Sequence, residues 1–484
     1  QQKKKKKKKK KKKNPPPPPP PPPVRRALSV PGILKNMKTT LLHHRPFTLR
    51  NVNIAEFKGI SIDSRNIPDA YIFCALKGEH TDGHRFVAKA LENGAVAALV
   101  NKEYAAKAAK NESLIIVEDT YQGLVDIASL YIKELSMPIL AITGSAGKTS
   151  TRRLISHILR TSMTVAETPR NFNNHIGLPI TILQMSGHED IAVLEMGTSA
   201  IGEIRDLCKI VAPDYGMITS IAHAHIGGFG SIDNVQTAKY ELLDAVKPGG
   251  TLFINNDDPR ISNYPQDERK RITYGLENPA DIRLNIHDID KNGCYRLSID
   301  NTKIQLKSSG KGAALNAVAA YAFTLILGMD PQNIIAAIES YEPSAGRGKM
   351  EIWKGITLID DTYNANPFSV NNAIDALRAM KTERNKVMVF GDMLEMGVET
   401  RSSHETIGTA AAEAGISHLF CYGKDSQFTV STAKTRGIFF AEHFETKKKL
   451  AESLMSAIKP GDIVLFKGSR GVAIEEVISL IKDM

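Results

Sequence analysis

The chain has 484 residues, 42% hydrophobic and 24% charged, the balance of a soluble globular protein of about two to four domains. No apolar run reaches the roughly 18 residues of a membrane-spanning helix, which argues against a membrane protein. The formal charge of +11 is misleading: Lys3 to Lys13, Arg25, Arg26 and Lys35 all lie in residues 1–36, which hold no acid. The remaining chain therefore stands at −3 and offers no electrostatic case for binding nucleic acid.

In chain order, residues 1–36 run from a lysine homopolymer into Pro15–Pro23. Such a segment has nothing to bury and is expected to be a disordered tail, its prolines in extended polyproline II. It lacks the apolar core of a secretory signal and is poor in Arg and Ser for a transit peptide. It reads as upstream sequence ahead of a start at Met37 and is set aside. Residues 37–135 alternate short strands and helices, with ISIDSR, YIFCALKG, VAALV and SLIIVED as strand candidates. The four cysteines, Cys74, Cys208, Cys294 and Cys421, are scattered without a CxxC, which suits reduced thiols in a cytosolic protein.

The second region, 136–343, opens on AITGSAGKTS, residues 141–150. The apolar run Met137–Ile142 reads as a buried strand, and RRLISHILR reads as a helix. Between them lie Gly144, Ser145, Ala146, Gly147, Lys148, Thr149 and Ser150. Strand, glycine loop and helix form a phosphate cradle: backbone N–H groups and the helix N-terminus face the anion, Lys148 adds charge, and the Thr149 hydroxyl can hold Mg²⁺. Only two residues separate Gly144 from Gly147, a shortened form of the common loop. NFNNHIGLP, residues 171–179, concentrates amides suited to peptide or sugar groups, though such clusters are commonly loops. Glu195 ends the strand IAVLEMG, well placed to bind Mg²⁺ directly or through water. His223 and His225 alternate in TSIAHAHIGGFGS, at another strand end. Lys239 lies in NVQTAKYELLDAV, an amphipathic helix on which a lysine ordinarily faces solvent. NNDDP, 255–259, follows the strand GTLFI and is by itself a turn signal.

The third region, 344–484, repeats the style with ITLIDD, KVMVFGD, HLFCYG, GIFFAE and DIVLFKGS. Apolar strands alternating with helices imply α/β domains built on parallel sheets, with ligands at the strand ends. DDTYNANP, 360–367, gathers acids, a phenol and amides after one strand. KGSRG, 467–471, sets a lysine and an arginine after the last, suited to an anion or carboxylate.

Together these strings resemble the Mur ligases, the ATP-dependent amide-forming enzymes of peptidoglycan synthesis. The shortened G-x-x-G-K-T loop is theirs, shared with folylpolyglutamate synthetases. The segment IDSRNIPDAYIFCALKGEHTDGHRF (62–86) is similar to a nucleotide-sugar segment of the family. VFGDMLEMG (389–397), YNANP (363–367) and the closing KGSRG resemble the member that adds D-alanyl-D-alanine to UDP-N-acetylmuramoyl-tripeptide. The resemblance spans nearly all of residues 55–484.

The resemblance implies three α/β domains: a UDP-sugar-binding N-terminal domain (37–135), a central P-loop ATPase-type domain (136–343) and a Rossmann-like C-terminal domain (344–484) that binds the incoming dipeptide. It implies a cytoplasmic ligase that uses ATP and Mg²⁺. Ser64, Arg65, Lys77, Gly78 and His84 would surround the UDP-sugar, and Asn173 and Asn174 would face the muramoyl-peptide. Lys148 and Thr149 would bind phosphates and one Mg²⁺ with Glu195, His225 would ligate a second, and Lys239 would carry a CO₂-derived carbamate that binds metal. Asn255 and Asp258 would sit near the adenosine, with Arg347 and Asp361 reaching in. Tyr363, Asn364, Asn366, Lys467, Ser469 and Arg470 would serve the dipeptide. A monomer is expected, with neither nucleic acid nor membrane as partner. Two departures stand out. Where the family often has Pro-Ala-His-Leu-Glu, this chain has His223, Ala224, His225, Ile226 and Gly227. Where a His-Asn pair often precedes the Asn-Ala-Leu-Ala-Ala segment, this chain has Gly312 and Ala313 ahead of Asn316. Competing readings are another amide ligase of the group, which would change YNANP or dispense with the N-terminal segment, and a P-loop NTPase that holds nucleic acid through its lysine tail.

Overall fold

The computed structural model describes residues 42, 47–52, 57–223, 226–299 and 302–484. The tail 1–36 and His225 lie outside the described residues. The protein is a three-domain α/β structure. The N-terminal sheet contains β1 (Thr48–Arg50), β2 (Gly59–Ser61), β3 (Tyr71–Cys74), β4 (Ala97–Asn101) and β5 (Leu114–Val117), in the order β1-β5-β4-β3-β2. Only β1 runs antiparallel to its neighbour. Helix Thr120–Leu135 then leads into the central domain, started by Asp119, whose side chain accepts from Gln122 N.

The central sheet is wholly parallel. It is built from β6 (Ile139–Thr143), β7 (Val165–Glu167), β8 (Ile191–Glu195), β9 (Tyr215–Ile218), β10 (Thr251–Asn255), β11 (Lys270–Gly275) and β12 (Ile282–Arg283). The order is β12-β11-β10-β9-β6-β8-β7. Strands β6, β8 and β10 are buried along their whole length, as apolar runs covered on both faces must be. After β8 the chain crosses to the far side of β6. The order reverses at that point, and the crevice beyond the carboxyl ends of β6 and its neighbours is where such a sheet binds ligands.

A second, antiparallel sheet follows: β13 (Asn285–Ile289), β14 (Cys294–Ile299) and β15 (Thr302–Ser309). The sequence reading expected parallel sheets and did not foresee this one, because β13 is exposed over most of its length and carries no apolar run. It delivers the chain to helix Lys311–Ile326, whose alanine-rich body packs against the helix that follows the phosphate loop.

The C-terminal sheet has β16 (Lys349–Trp353), β17 (Ile356–Asp361), β18 (Lys386–Gly391), β19 (His418–Tyr422), β20 (Phe440–Phe444) and β21 (Ile463–Lys467) in the order β16-β17-β21-β18-β19-β20. It is parallel except for the edge strand β16. One apolar cluster runs from Ile218 and Leu252 of the central domain to Ile359 and Leu465 of the C-terminal domain, so the two share a core beside the crevice.

Candidate functional site

The phosphate loop is held from behind by the strand end after β9. Gly144 has φ 153° and Gly147 φ 83°. A Cβ on Gly144 would sit 2.0 Å from Thr219 Oγ1, so only glycine fits. Thr219 Oγ1 donates to the Ala146 carbonyl at 2.5 Å, and Ser145 N donates to Ser220 O at 2.8 Å. The Ser145 hydroxyl exchanges hydrogen bonds with Ala222 O and N, both 2.9 Å. Helix Lys148–Leu159 starts directly on Gly147 with no side-chain cap, which leaves its first N–H groups for a ligand.

Thr149 stands at the centre of a chain of contacts. Its hydroxyl donates to Glu195 Oε2 at 2.8 Å and accepts from Arg347 Nη2 at 3.0 Å. Asn173 Nδ2 donates to the other carboxylate oxygen of Glu195 at 2.8 Å. Arg347, from the C-terminal domain, lies with its guanidinium carbon 3.7 Å from the centre of the Tyr363 ring. Burial holds the Lys148 ammonium below its ordinary pKa, opposed by Glu195 and helped by Arg347. Lys148 Nζ rests on the Gly144 carbonyl at 2.6 Å.

Lys239 departs from the solvent-facing expectation. It lies in helix Ile232–Asp244, is 3% exposed, and borders the same cavity. Burial first, then the Lys148 charge, push its amine well below the usual lysine value. Among the described residues no carboxylate pairs with it.

On the far wall, Lys467 donates to Asp361 Oδ2 at 2.6 Å and to Asn364 O at 3.0 Å. Burial raises the Asp361 carboxyl, with Lys467 opposing it. Asn366 caps helix Pro367–Ala379 through a reciprocal pair with Ser369. Its amide reaches Ser145 O at 3.4 Å.

One cavity of about 1100 Å³ collects these groups. It is lined by the whole loop Gly147 to Ser150 with Ser145 and Ala146, and by Asn173, Asn174, Glu195, Lys239, Asn255, Asp258, Arg347, Asp361, Tyr363, Asn364, Asn366 and Lys467. Gly144 lies just beneath it. Asn255 and Asp258 are largely occupied with the protein: Asn255 donates to Thr219 O at 3.0 Å, and Asp258 accepts from Ile221 N at 2.8 Å and caps helix Pro259–Ser262. Asn174 Oδ1 is likewise engaged, accepting from Gly177 N at 2.8 Å at the start of helix Gly177–Leu183.

Other expected residues lie elsewhere. Ser469 bridges Leu394 N and Ala365 O inside the C-terminal domain, and Arg470 pairs with Glu475 at the surface. In the N-terminal domain, Arg65 forms a fork with Asp63, which holds that carboxyl down at about 2. Ser64 accepts from Asn93 through its carbonyl, and Lys77 and Gly78 form a turn closed against Asp82 and Thr81. His84 is buried with both ring nitrogens engaged: Nδ1 meets Asp82 Oδ1 at 2.7 Å, and Nε2 accepts from Asn101 N at 3.1 Å. None of these five lines the large cavity. Two residues not singled out for the site join it. Asn316 accepts from Thr151 Oγ1 at 3.0 Å beneath Gly147; its sequence signal is its place at the head of the segment that resembles the family's Asn-Ala-Leu-Ala-Ala. Arg152 is buried behind Glu195.

A divalent cation fits the donor set that faces the loop: a threonine hydroxyl and a buried carboxylate 2.8 Å apart, beside a buried amine. Among the described residues no cluster of three His, Cys, Asp or Glu side chains is present. Any cation would thus draw on Thr149 and on phosphate oxygens as well as on Glu195.

Fold and site define a nucleotide-phosphate-binding protein of three α/β domains whose cavity is closed by groups from the C-terminal one. Family profiles match in the same order: "Mur ligase family, catalytic domain" over residues 56–131, "Mur ligase middle domain" over 142–324, and "Mur ligase, glutamate ligase domain" over 346–470. The UDP-N-acetylmuramoyl-tripeptide–D-alanyl-D-alanine ligase of Bacillus subtilis is 34% identical over 87% of this chain and 92% of its own. The crystal structure of MurF from Acinetobacter baumannii superposes with a TM-score of 0.79 at 28% identity, covering 89% of this chain and 94% of that one. That of MurF from Thermotoga maritima in complex with ADP gives 0.78 at 28%, covering 88% and 97%. The chain belongs to the Mur ligase family.

Proposed function

We propose that this protein is the ATP-dependent ligase that joins D-alanyl-D-alanine to UDP-N-acetylmuramoyl-tripeptide in peptidoglycan precursor synthesis. The observation that carries this reading is the single cavity in which the phosphate loop and Glu195 of one domain face Arg347, Tyr363, Asn364 and Lys467 of another. The names of the relatives over nearly their full lengths support the choice of substrates.

A carboxylate is a poor acylating group in water, so the reaction needs activation. A terminal carboxylate oxygen of the tripeptide attacks the γ-phosphorus of ATP. The bond to the bridging oxygen breaks, leaving ADP and an acyl phosphate. The free amine of D-alanyl-D-alanine then attacks the acyl carbon, loses a proton, and expels inorganic phosphate. Lys148 and the N–H groups at the start of helix Lys148–Leu159 hold the phosphates and offset the repulsion between two anions. Arg347, stacked on Tyr363, carries a second positive charge to the same place. The loop Tyr363–Asn366, pinned by Lys467, offers amide groups to the incoming dipeptide. Closing the C-terminal domain over the cavity excludes water, which would hydrolyse the acyl phosphate.

Thr149 and Glu195 would hold one Mg²⁺, and His225, from the sequence resemblance, would ligate a second. The ions when bound would supply neutralisation of phosphate charge. Lys239 is suited to carry a carbamate, since a buried amine kept neutral is the form that reacts with CO₂. We read the protein as a cytoplasmic monomer. All four cysteines are free and buried, as suits reduced thiols, and no described helix is long and apolar enough to cross a membrane.

The test is phosphate release with ATP and Mg²⁺. Release should require both UDP-MurNAc-tripeptide and D-alanyl-D-alanine and yield the pentapeptide by mass, and Lys148→Ala should abolish it. Release that needs neither substrate, or only folate and glutamate, would overturn the reading.

A further inference from the structure

Arg152 is 1% exposed and is among the largest fully buried side chains of the protein. Nothing in the reaction described above uses it. It lies three residues beyond Thr149 on helix Lys148–Leu159, so both side chains fall on one helix face, toward the ends of β7 and β8. Its Nη1 pairs with Glu167 at the end of β7, and its Nε stands 3.4 Å from Glu195 Oε2 at the end of β8. Arg160 grips the other oxygen of Glu167 at 2.9 Å.

We propose that Arg152 is a positioning residue for Glu195: anchored on Glu167, its guanidinium fixes the carboxylate that the phosphate site presents to a divalent cation. This rests on the reading that Glu195 faces such a cation.

The contacts of Glu195 show the division of labour. Thr149 and Asn173, which line the cavity, each reach one of its oxygens at 2.8 Å. Its backbone N–H is tied to Thr168 Oγ1 at 2.8 Å. Arg152 does not line the cavity, so it acts through Glu195 and not on the phosphates. A buried cation beside a ligand carboxylate has two opposite effects. It orients the group, and it competes with the metal for the negative charge. The asymmetry of the two contacts resolves the conflict. Glu167 holds the guanidinium close, while Glu195 sits at the outer limit of a hydrogen bond and keeps its charge for the cavity side. Only a planar fork can span both carboxylates; a lysine ammonium would serve one and abandon the other.

The test uses the full chain with Mn²⁺ and ADP. The readout is the Mn²⁺ midpoint by paramagnetic resonance, with melting temperature and metal-free ADP affinity measured alongside. Arg152→Lys should raise the midpoint by about tenfold, the lower end of what outer-shell partners of metal ligands carry. Glu167→Gln should raise it as well, because the released guanidinium moves onto Glu195 and competes with the ion. Metal-free ADP affinity should stay at the wild-type value in both. Variants with the wild-type Mn²⁺ midpoint overturn the proposal, whether or not they melt earlier, since a role confined to the core would show only there. If Arg152→Lys fails to fold, Glu167→Gln decides alone. A wild-type protein that binds Mn²⁺ with ADP yet makes no pentapeptide overturns the ligase reading and leaves this one standing.

Discussion

Replacing Arg347 with lysine separates charge from shape at the junction of two domains. The native guanidinium makes two contacts at once: Nη2 donates to Thr149 Oγ1 at 3.0 Å, and the plane lies 3.7 Å from the Tyr363 ring centre. A hydrogen bond from a charged group contributes about 1.5–3 kcal/mol, and a desolvated cation–π contact about 0.5–2 kcal/mol. Lysine keeps the charge but cannot stack and reach together. If both contacts tighten as the phosphoryl group moves, the loss is about 2–5 kcal/mol, or about 30- to 4000-fold in turnover at 1.4 kcal/mol per tenfold. Thr149 and Tyr363 belong to different domains. The loss should therefore fall on kcat and on the KM for D-alanyl-D-alanine, with ADP binding to the free enzyme changed far less. The assay is steady-state pentapeptide formation with each substrate varied, beside calorimetry with ADP. Turnover within threefold of wild type would refute the reasoning, because Arg347 would then be a packing residue that merely touches the loop.

Gly144→Ala should weaken ADP binding by about 5- to 150-fold, the equivalent of the about 1–3 kcal/mol a side chain costs in a glycine-only conformation. Its Cβ would meet Thr219 Oγ1 at 2.0 Å, and the loop must shift; calorimetry checks this. Lys467→Met leaves the half-buried Asp361 carboxylate without its closest cation and should cost about 1–3 kcal/mol at neutral pH. Burial already raises the Asp361 carboxyl, so the deficit should shrink as pH falls and the group takes up a proton; thermal melts across pH test this, and Asp361→Asn in the same chain should recover most of the loss. Lys239 should carry a carbamate detectable by mass on rapidly quenched native protein. Because its amine is depressed, it is neutral above the lowered pKa; as pH falls through that value it protonates, the carbamate is lost, and turnover falls. Bicarbonate should move that acid limb to lower pH, and a Lys239→Ala variant with wild-type turnover would remove the assignment.

Legibility in the sequence tracks how local the cause is. The phosphate loop could be read because its backbone demands are residue-specific: Gly144 and Gly147 occupy positive φ, and the strand and helix around them declare themselves by apolar content and period. Glu195, Asp361 and Lys467 could be placed at strand ends for the same reason, since β8, β17 and β21 are apolar runs that stop where the polar residue begins. Lys239 shows where this stops working. In its helix Val235, Ala238 and Leu242 are buried, and Lys239 belongs to the same stripe. A period that counts lysine as polar assigns it to solvent, and only the cavity opposite explains why a cation is tolerated there. His84, expected near the UDP-sugar from the resemblance alone, is held by the fold: Asn101 N, 17 residues away, donates to one ring nitrogen and Asp82 meets the other. Arg152 is one residue of the helix pattern RRLISHILR with no signal of its own, and its partners Glu167 and Glu195 come from two different strands. The antiparallel sheet β13–β15 was missed because one of its strands is almost entirely exposed. Lys239 and Arg152 are polar groups whose burial is decided by parts of the chain far away in sequence, and both bear on the charge of the site. The glycine loop marks where phosphate binds, but its surroundings, Arg152 behind Glu195 and Arg347 across from Thr149, exist only once the strand ends of the central domain and the start of the C-terminal domain have come together.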